Sequence, residues 1–86
     1  MKRRWVGSPD YRAAVATLRA AREAQGLSQR EVARRLRKPV SFLNKIELLE
    51  RRIDILEFVQ LCRALGVQPG ELMAEIAAST RPDAEF

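Results

Sequence analysis

The spacing of apolar residues predicts an all-helical chain. Ser8-Pro9 is typical of a helix start, and apolar residues then recur at helical spacing until Gly26, where we expect the helix to end. A second, shorter helix begins at Ser28 and has one apolar face that stops near Arg37. No segment alternates apolar and polar residues as a half-buried strand does, so we expect no sheet.

Three more helices are predicted in the second half of the chain. Pro39 opens the third, in which Leu43 and Ile46 occupy the inward side. The fourth begins after Asp54, and apolar residues cover so much of its circumference that we expect it to be the central, most buried helix. Those residues are Ile55, Leu56, Phe58, Val59, Leu61, Cys62 and Leu65. A fifth helix begins at Pro69, and the polar residues from position 79 onward are expected to fray.

Two tetrapeptides have the pattern of a capping box, a reciprocal pair of hydrogen bonds at a helix start. They are Ser28-Gln29-Arg30-Glu31 and Asp54-Ile55-Leu56-Glu57. In each, we expect the first side chain to accept from the amide three residues later. The glutamate is then expected to accept from the amide of the first residue.

Length and composition restrict the class of protein. Eighty-six residues with 47% apolar side chains suffice for one domain with one core. There is no histidine and only one cysteine, Cys62, so neither an intrachain disulfide nor a Cys/His metal site is expected. A single cysteine fits a reducing, intracellular compartment. No apolar run reaches the length of a membrane span, and no apolar leader segment follows the basic start.

The net charge of +5 is unevenly distributed along the chain. Residues 1–27 carry a balance of +4, residues 28–52 a balance of +5, and residues 53–86 a balance of −4. A basic half suggests a polyanionic partner, either nucleic acid or an anionic membrane surface. A solvated basic face that aids solubility explains the charge equally well.

The second and third helices have the size and order of a helix-turn-helix. Both are short, and only three or four residues around Arg37–Pro39 separate them. With Leu43 and Ile46 inward, the third helix presents small and polar side chains outward. The major groove of DNA admits a helix and displays hydrogen-bonding groups and thymine methyls, which suit such a face.

Three segments together resemble the phage-repressor-like (Cro/Xre) helix-turn-helix family. They are residues 27–33 (LSQREVA), 38–47 (KPVSFLNKIE) and 51–54 (RRID), and the trailing Leu65-Gly66-Val67 is also similar. The resemblance covers about residues 15–76. It implies a compact five-helix, lambda-repressor-like DNA-binding domain that acts as a dimeric transcriptional regulator.

The resemblance also implies a role for individual residues. On the third helix, base-reading positions are matched by Val40, Ser41 and Lys45, with Asn44 on the flank. Candidate phosphate contacts are Gln29 at a helix start, the loop cations Lys38, Arg51 and Arg52, and Arg3 and Arg4. Arg22 and Glu47 match a pair that joins the first helix to the end of the third.

The basic residues at the start of the chain have two possible roles. Lys2, Arg3, Arg4 and Trp5 form either an arm that follows the DNA backbone or enters a minor groove, or an unstructured solubilising start. In the first case, Trp5 is a candidate to anchor the arm on the helices.

Three sites depart from the family pattern: Val40 stands where relatives often have a polar residue such as glutamine, and the other two lie beside the third helix. Arg37 stands where many relatives have glycine, and Leu48-Leu49 stand where they often have a polar residue and then glycine. A left-handed backbone costs a residue other than glycine roughly 1–2 kcal/mol. Either the backbone differs there and the third helix runs on, or the strain is tolerated. The two leucines either cover the core or contact a partner.

We therefore expect three parts: a basic arm at 1–10, the helix-turn-helix domain at 11–78, and a flexible tail at 79–86. The expected function is sequence-specific DNA binding by a cytoplasmic, nucleoid-associated homodimer on a two-fold operator. Repression by occluding a promoter is favoured over activation for so small a protein. The fifth helix, with Met73 and Ile76, is a candidate dimer surface.

A second class of function is a protein-interaction module, such as the antitoxin of a toxin–antitoxin pair, in which Leu48, Leu49 or the last helix binds a protein. Both activities can coexist. An enzyme is poorly supported, since the chain has no histidine, no glycine-rich phosphate loop and a single cysteine within a core helix. No cofactor or metal is expected.

Overall fold

A computed structural model describes residues 7–86 of the protein, so the predictions for Lys2, Arg3, Arg4 and Trp5 lie outside the described residues. This range forms five α-helices and no strand, which confirms the all-α class. The helices are α1 (Pro9–Ala24), α2 (Gln29–Leu36), α3 (Val40–Glu47), α4 (Ile55–Leu65) and α5 (Pro69–Ser79). Within residues 7–86, no helix has both the length and the apolar character needed to span a bilayer.

The core is built around α4, as its apolar composition predicts. Four of the eight buried residues of the core cluster in the described range come from α4. The eight are Leu18, Val32, Leu43, Phe58, Leu61, Cys62, Leu65 and Leu72. The expectation that α4 is buried around its circumference is wrong in the first turn, where Ile55 is 86% and Leu56 72% exposed. Composition alone does not show where the neighbouring helices end, and it therefore does not predict that these two side chains are exposed.

Side-chain caps fix the starts of α1, α2 and α4. The Asp54 box is complete: Glu57 N–H donates to Asp54 Oδ1 at 2.7 Å, and Asp54 N–H donates to Glu57 Oε1 at 3.0 Å. The Ser28 box is only half formed. Ser28 Oγ accepts from Glu31 N–H at 3.1 Å, but the Glu31 carboxylate binds two arginines of the next turn instead of the cap amide. In these bonds both partners are charged, whereas the cap amide is neutral.

The first four helices end in the same hydrogen-bonded turn, a Schellman motif, in which one residue has a left-handed backbone. The left-handed residues are Gly26, Arg37, Leu49 and Gly66, with φ of 69°, 56°, 64° and 75°. In the two turns beside α3, Lys38 N–H donates to Ala33 O at 3.0 Å, and Glu50 N–H to Lys45 O at 2.8 Å. Thus α3 does not run on past Glu47, and the chain tolerates the strain at Arg37 and Leu49.

The start of α1 and the residues after α5 are joined by an ion pair. The buried Asp10 carboxylate accepts from the Arg81 backbone N–H at 3.0 Å and from Arg81 Nη2 at 2.8 Å. The hydrogen bonds from Arg81 lower the pKa of Asp10 below its ordinary value. This pair fixes the position of Arg81; the flexibility of the tail and the boundaries at residues 10 and 78 stay predictions.

Candidate nucleic-acid interface

Helices α2 and α3, joined by residues 37–39, form the helix-turn-helix unit. Val32 and Ala33 of α2 are buried, as are Leu43 and Ile46 of α3. These apolar contacts fix how far α3 is rotated about its axis, and therefore which of its side chains face outward.

The outward face of α3 consists of the four residues that the sequence places there. Val40 is 39% exposed, and Ser41, Asn44 and Lys45 are also exposed. Their spacing of one and four residues puts them side by side on one helix face. Together they offer one apolar contact, one hydroxyl, one amide and one ammonium group, which is the kind of chemistry that reads base edges.

A buried carboxylate joins three helices behind this face. Arg22 Nε donates to Glu47 Oε2 at 2.7 Å and Arg22 Nη2 to Glu47 Oε1 at 3.0 Å, and the Glu47 side chain is only 5% exposed. The structure thus brings Arg22 and Glu47 into the contact that the resemblance implies. Hydrogen bonding to Glu47 raises the pKa of Arg22. Arg22 Nη1 also donates to Leu27 O at 2.8 Å, which ties the loop before α2 to the same group.

Gln29 takes part in the same network, which sequence reasoning did not foresee. Its Nε2 donates to Glu47 Oε1 at 2.8 Å. The amide therefore sits at the N-terminus of α2 in a fixed position. Its place as the first helical residue was visible in the sequence, but its partner 18 residues away was not.

Arg51, a candidate phosphate contact, is held by protein groups. Its Nη1 and Nη2 donate to the two Glu57 carboxylate oxygens at 2.8 Å and 2.7 Å. Its guanidinium carbon lies 4.7 Å from the centre of the Phe42 ring, near enough for a cation–π contact. Sequence reasoning missed both Glu57 and Phe42 as partners of this loop. Arg51 thus fastens the α3–α4 loop to α3 and α4.

The other loop cations lie on aromatic rings at the surface. Lys38 Nζ is 5.7 Å from the centre of the Phe42 ring, and the Arg52 guanidinium carbon is 5.2 Å from the centre of the Tyr11 ring. Both side chains are exposed, so their charged ends remain accessible to an anion. Arg3 and Arg4 lie outside the described residues. Within residues 7–86, no group of three or more His, Cys, Asp or Glu side chains is placed to hold a metal ion.

Comparison with known proteins assigns the family. The model of the helix-turn-helix family HTH_3 matches residues 18–72. An XRE-family like protein from Pseudomonas syringae pv. tomato str. DC3000 is 42% identical, over 84% of this chain and 88% of that one, with a TM-score of 0.79. The clp gene regulator ClgR from C. glutamicum is 27% identical, over 83% of this chain and 92% of that one, with a TM-score of 0.71. No curated protein sequence matches the chain. The residues matched and the shared architecture show that this chain belongs to the Xre family of helix-turn-helix proteins.

Proposed function

We propose that this DNA-binding regulator represses transcription by inserting α3 into the major groove of a two-fold operator. The observation that carries the proposal is the outward row Val40, Ser41, Asn44 and Lys45 on a helix whose other side is fixed in the core. A rigid helix that presents these groups together suits base readout, because the geometry is set before binding.

The four residues of the row have different tasks in this proposal. Lys45 donates to guanine O6 or N7, and Ser41 bonds a base edge or a phosphate. Val40 has no polar group, so it contacts a thymine methyl. Asn44, at the flank, bonds the backbone or an ordered water.

Phosphate contacts then set the register of α3 in the groove. Lys38 and Arg52 supply charge beside the reading helix, and Gln29 adds an amide at the N-terminus of α2, where the helix dipole also attracts an anion. Arg51 contributes its positive charge at the same loop while it remains paired with Glu57.

Dimerisation and repression complete the proposal. Met73 on α5 is exposed and available to a second copy, whereas Ile76 packs against the core of its own chain. A two-fold dimer reads half-sites about one helical turn apart, roughly 34 Å. An operator that overlaps a promoter is then blocked without any further domain.

Selection of duplexes from a random pool tests this function. We expect an enriched motif with two-fold symmetry, whose affinity falls steeply with salt because several phosphates are neutralised. A gel shift with the selected duplex and a shuffled duplex of equal composition measures both properties. Binding that is indifferent to sequence and to salt would exclude the proposal.

An exposed leucine supports a second candidate function, that of an antitoxin. Leu48 is exposed in the loop after α3, where solvent contact is unfavourable for an apolar side chain. A protein partner that covers Leu48 removes this cost. Co-expression with the product of a neighbouring gene tests the idea: a stable complex that Leu48→Ser abolishes supports it, and failure to co-purify rejects it.

A further inference from the structure

A groove of about 820 Å³ lies between the end of α2, the start of α3 and one side of α4 from Leu56 to Ala64. Its apolar lining includes Leu36, Phe42 and Leu56. Leu36 and Phe42 are half-buried, whereas Leu56 is 72% exposed and adds nothing to the core. The groove therefore offers apolar surface that an occupant would remove from water.

Positive charge surrounds this apolar surface. Arg35, Arg37, Lys38 and Arg63 all line the groove. Arg35 is paired with Glu31, and Arg63 donates to the neutral Gln60 amide oxygen and so keeps its net charge. The acidic lining residues are Asp54 and Glu57, and both are engaged: Asp54 accepts from the Glu57 amide, and Glu57 accepts from Arg51. An occupant with negative charge and an apolar side chain is complementary to such a groove.

The chain itself carries a segment of that chemistry. Asp83 and Glu85 give residues 83–86 two negative charges, and the Phe86 side chain beside them is 90% exposed. The segment leaves the domain at a fixed point, because Asp10 holds Arg81. Since Phe86 is almost fully exposed, it does not fill the groove of its own copy.

We infer that the groove of one copy binds residues 83–86 of a second copy. Phe86 packs against Leu56 and Phe42, and the two carboxylates lie beside Arg37 and Arg63. Each copy then has one groove and one acidic segment, which is a head-to-tail contact rather than a self-complementary patch. The contact does not involve the four outward residues of α3, although Lys38, a proposed phosphate contact, also lines the groove.

Complementation between two variants tests this contact without DNA. Leu56→Asp damages the groove and leaves the acidic segment intact, whereas Phe86→Ala damages the segment and leaves the groove intact. Ile55→Asp is the matched control, because Ile55 is also apolar and exposed, neighbours Leu56 and is not among the groove-lining residues. Circular dichroism verifies that each variant is folded.

Sedimentation at low salt, from micromolar to millimolar concentrations, supplies the result. We expect the average mass of the wild type and of Ile55→Asp to rise with concentration, and to fall again in high salt. Leu56→Asp alone and Phe86→Ala alone should each keep, at high concentration, the average mass that they have at low concentration. An equimolar mixture of the two variants should form a one-to-one pair.

Three results would overturn the inference. They are a wild type that shows no association at any concentration, a groove or segment variant that associates like the wild type, and a mixture that forms no pair. The second means that copies associate through another surface, which leaves the proposed DNA-binding dimer intact. The operator selection described above is independent of all three results.

Discussion

The side-chain amide of Gln29 donates a 2.8 Å hydrogen bond to Glu47 Oε1. The same oxygen accepts from Arg22, so the end of α1 and the start of α2 are both fixed to one carboxylate at the end of α3. An amide nitrogen carries two hydrogens. With one donated to Glu47, the second is available to a DNA phosphate, and its direction is set before DNA arrives.

Glu47→Ala should therefore destabilise the fold strongly. The change leaves the largely buried Arg22 guanidinium without its carboxylate, and breaking such a pair costs about 3 kcal/mol. Urea unfolding measures the loss. Glu23→Ala is the control, since Glu23 forms an exposed pair with Arg19 that is worth less than about 1 kcal/mol. Equal losses in the two variants would show that Glu47 has no special structural role.

A substitution at one of the left-handed turns should increase the stability of the fold. Arg37→Gly should raise the free energy of unfolding by about 1 kcal/mol, because glycine has no side-chain penalty at φ 56°. The greater flexibility of glycine in the unfolded chain offsets part of the gain, and the figure allows for it. Arg37→Ala, which keeps the strain and removes the guanidinium, should bring no such gain. Thermal and urea unfolding provide the comparison.

Gly66→Ala is the converse test, made at the left-handed turn that ends α4. A Cβ at Gly66 meets no atom within 4 Å, so only the backbone strain at φ 75° is added. We expect a loss of about 1 kcal/mol. If Arg37→Gly and Gly66→Ala change stability in the same direction, strain at these turns is not the cause.

The exposed positions of α3 could be predicted from the sequence because its apolar residues recur with a regular period. Once Leu43 and Ile46 are assigned inward, a repeat of 3.6 residues places Val40, Ser41, Asn44 and Lys45 outward. The Asp54 cap could also be predicted from the sequence, since Asp54 and Glu57 are only three residues apart.

The partners of the charged residues could not be predicted from the sequence in the same way. Arg51 was expected to bind phosphate, but it pairs with Glu57 across a loop that has no periodic pattern. Glu31 had three possible partners in sequence, the cap amide and two arginines, and local spacing alone does not rank them. Long, flexible charged side chains have several partners within reach, so the sequence alone does not predict which of them is bound.

Stability should fall in acid through the Glu57 carboxylate. The hydrogen bonds from Arg51 lower the pKa of Glu57 from its ordinary value of 4.5 to about 2, against the opposing effect of burial. A carboxylate with a lowered pKa in the folded state stabilises the fold above its unfolded pKa. That contribution is lost progressively as the pH falls from about 4.5 towards 2.

Glu57→Gln should flatten this part of the pH profile, because glutamine does not titrate. Urea midpoints of the wild type and the variant, measured across that range, make the comparison. Glu75→Gln, at an exposed position of α5, controls for the loss of one surface carboxylate. A Glu57→Gln profile as steep as that of the wild type would contradict the assignment. Part of the slope remains in the variant, because Arg34 and Arg35 lower the pKa of Glu31 to about 2 and Arg81 lowers the pKa of Asp10.

Lys45→Ala and Lys38→Ala should affect DNA binding differently. Loss of a base contact reduces discrimination by about 1–3 kcal/mol at one base pair, whereas loss of a phosphate contact weakens all duplexes alike and lowers the salt slope by about one. Competition between the selected operator and single-substitution operators, at several salt concentrations, separates these outcomes. If both variants lose affinity uniformly, Lys45 is a second phosphate contact.

Val40 can be tested from the DNA side, because its only partner in the major groove is a methyl group. Replacing the contacted thymine by uracil removes that methyl and nothing else. Burial of one methyl group is worth about 0.8 kcal/mol, so the wild type should bind the uracil operator about fourfold more weakly. Val40→Ala should show a smaller difference between the two operators, since alanine lacks the two γ-methyl groups with which valine can contact the thymine methyl. A uracil effect of the same size in both proteins would mean that another group, or the shape of the DNA, senses the methyl.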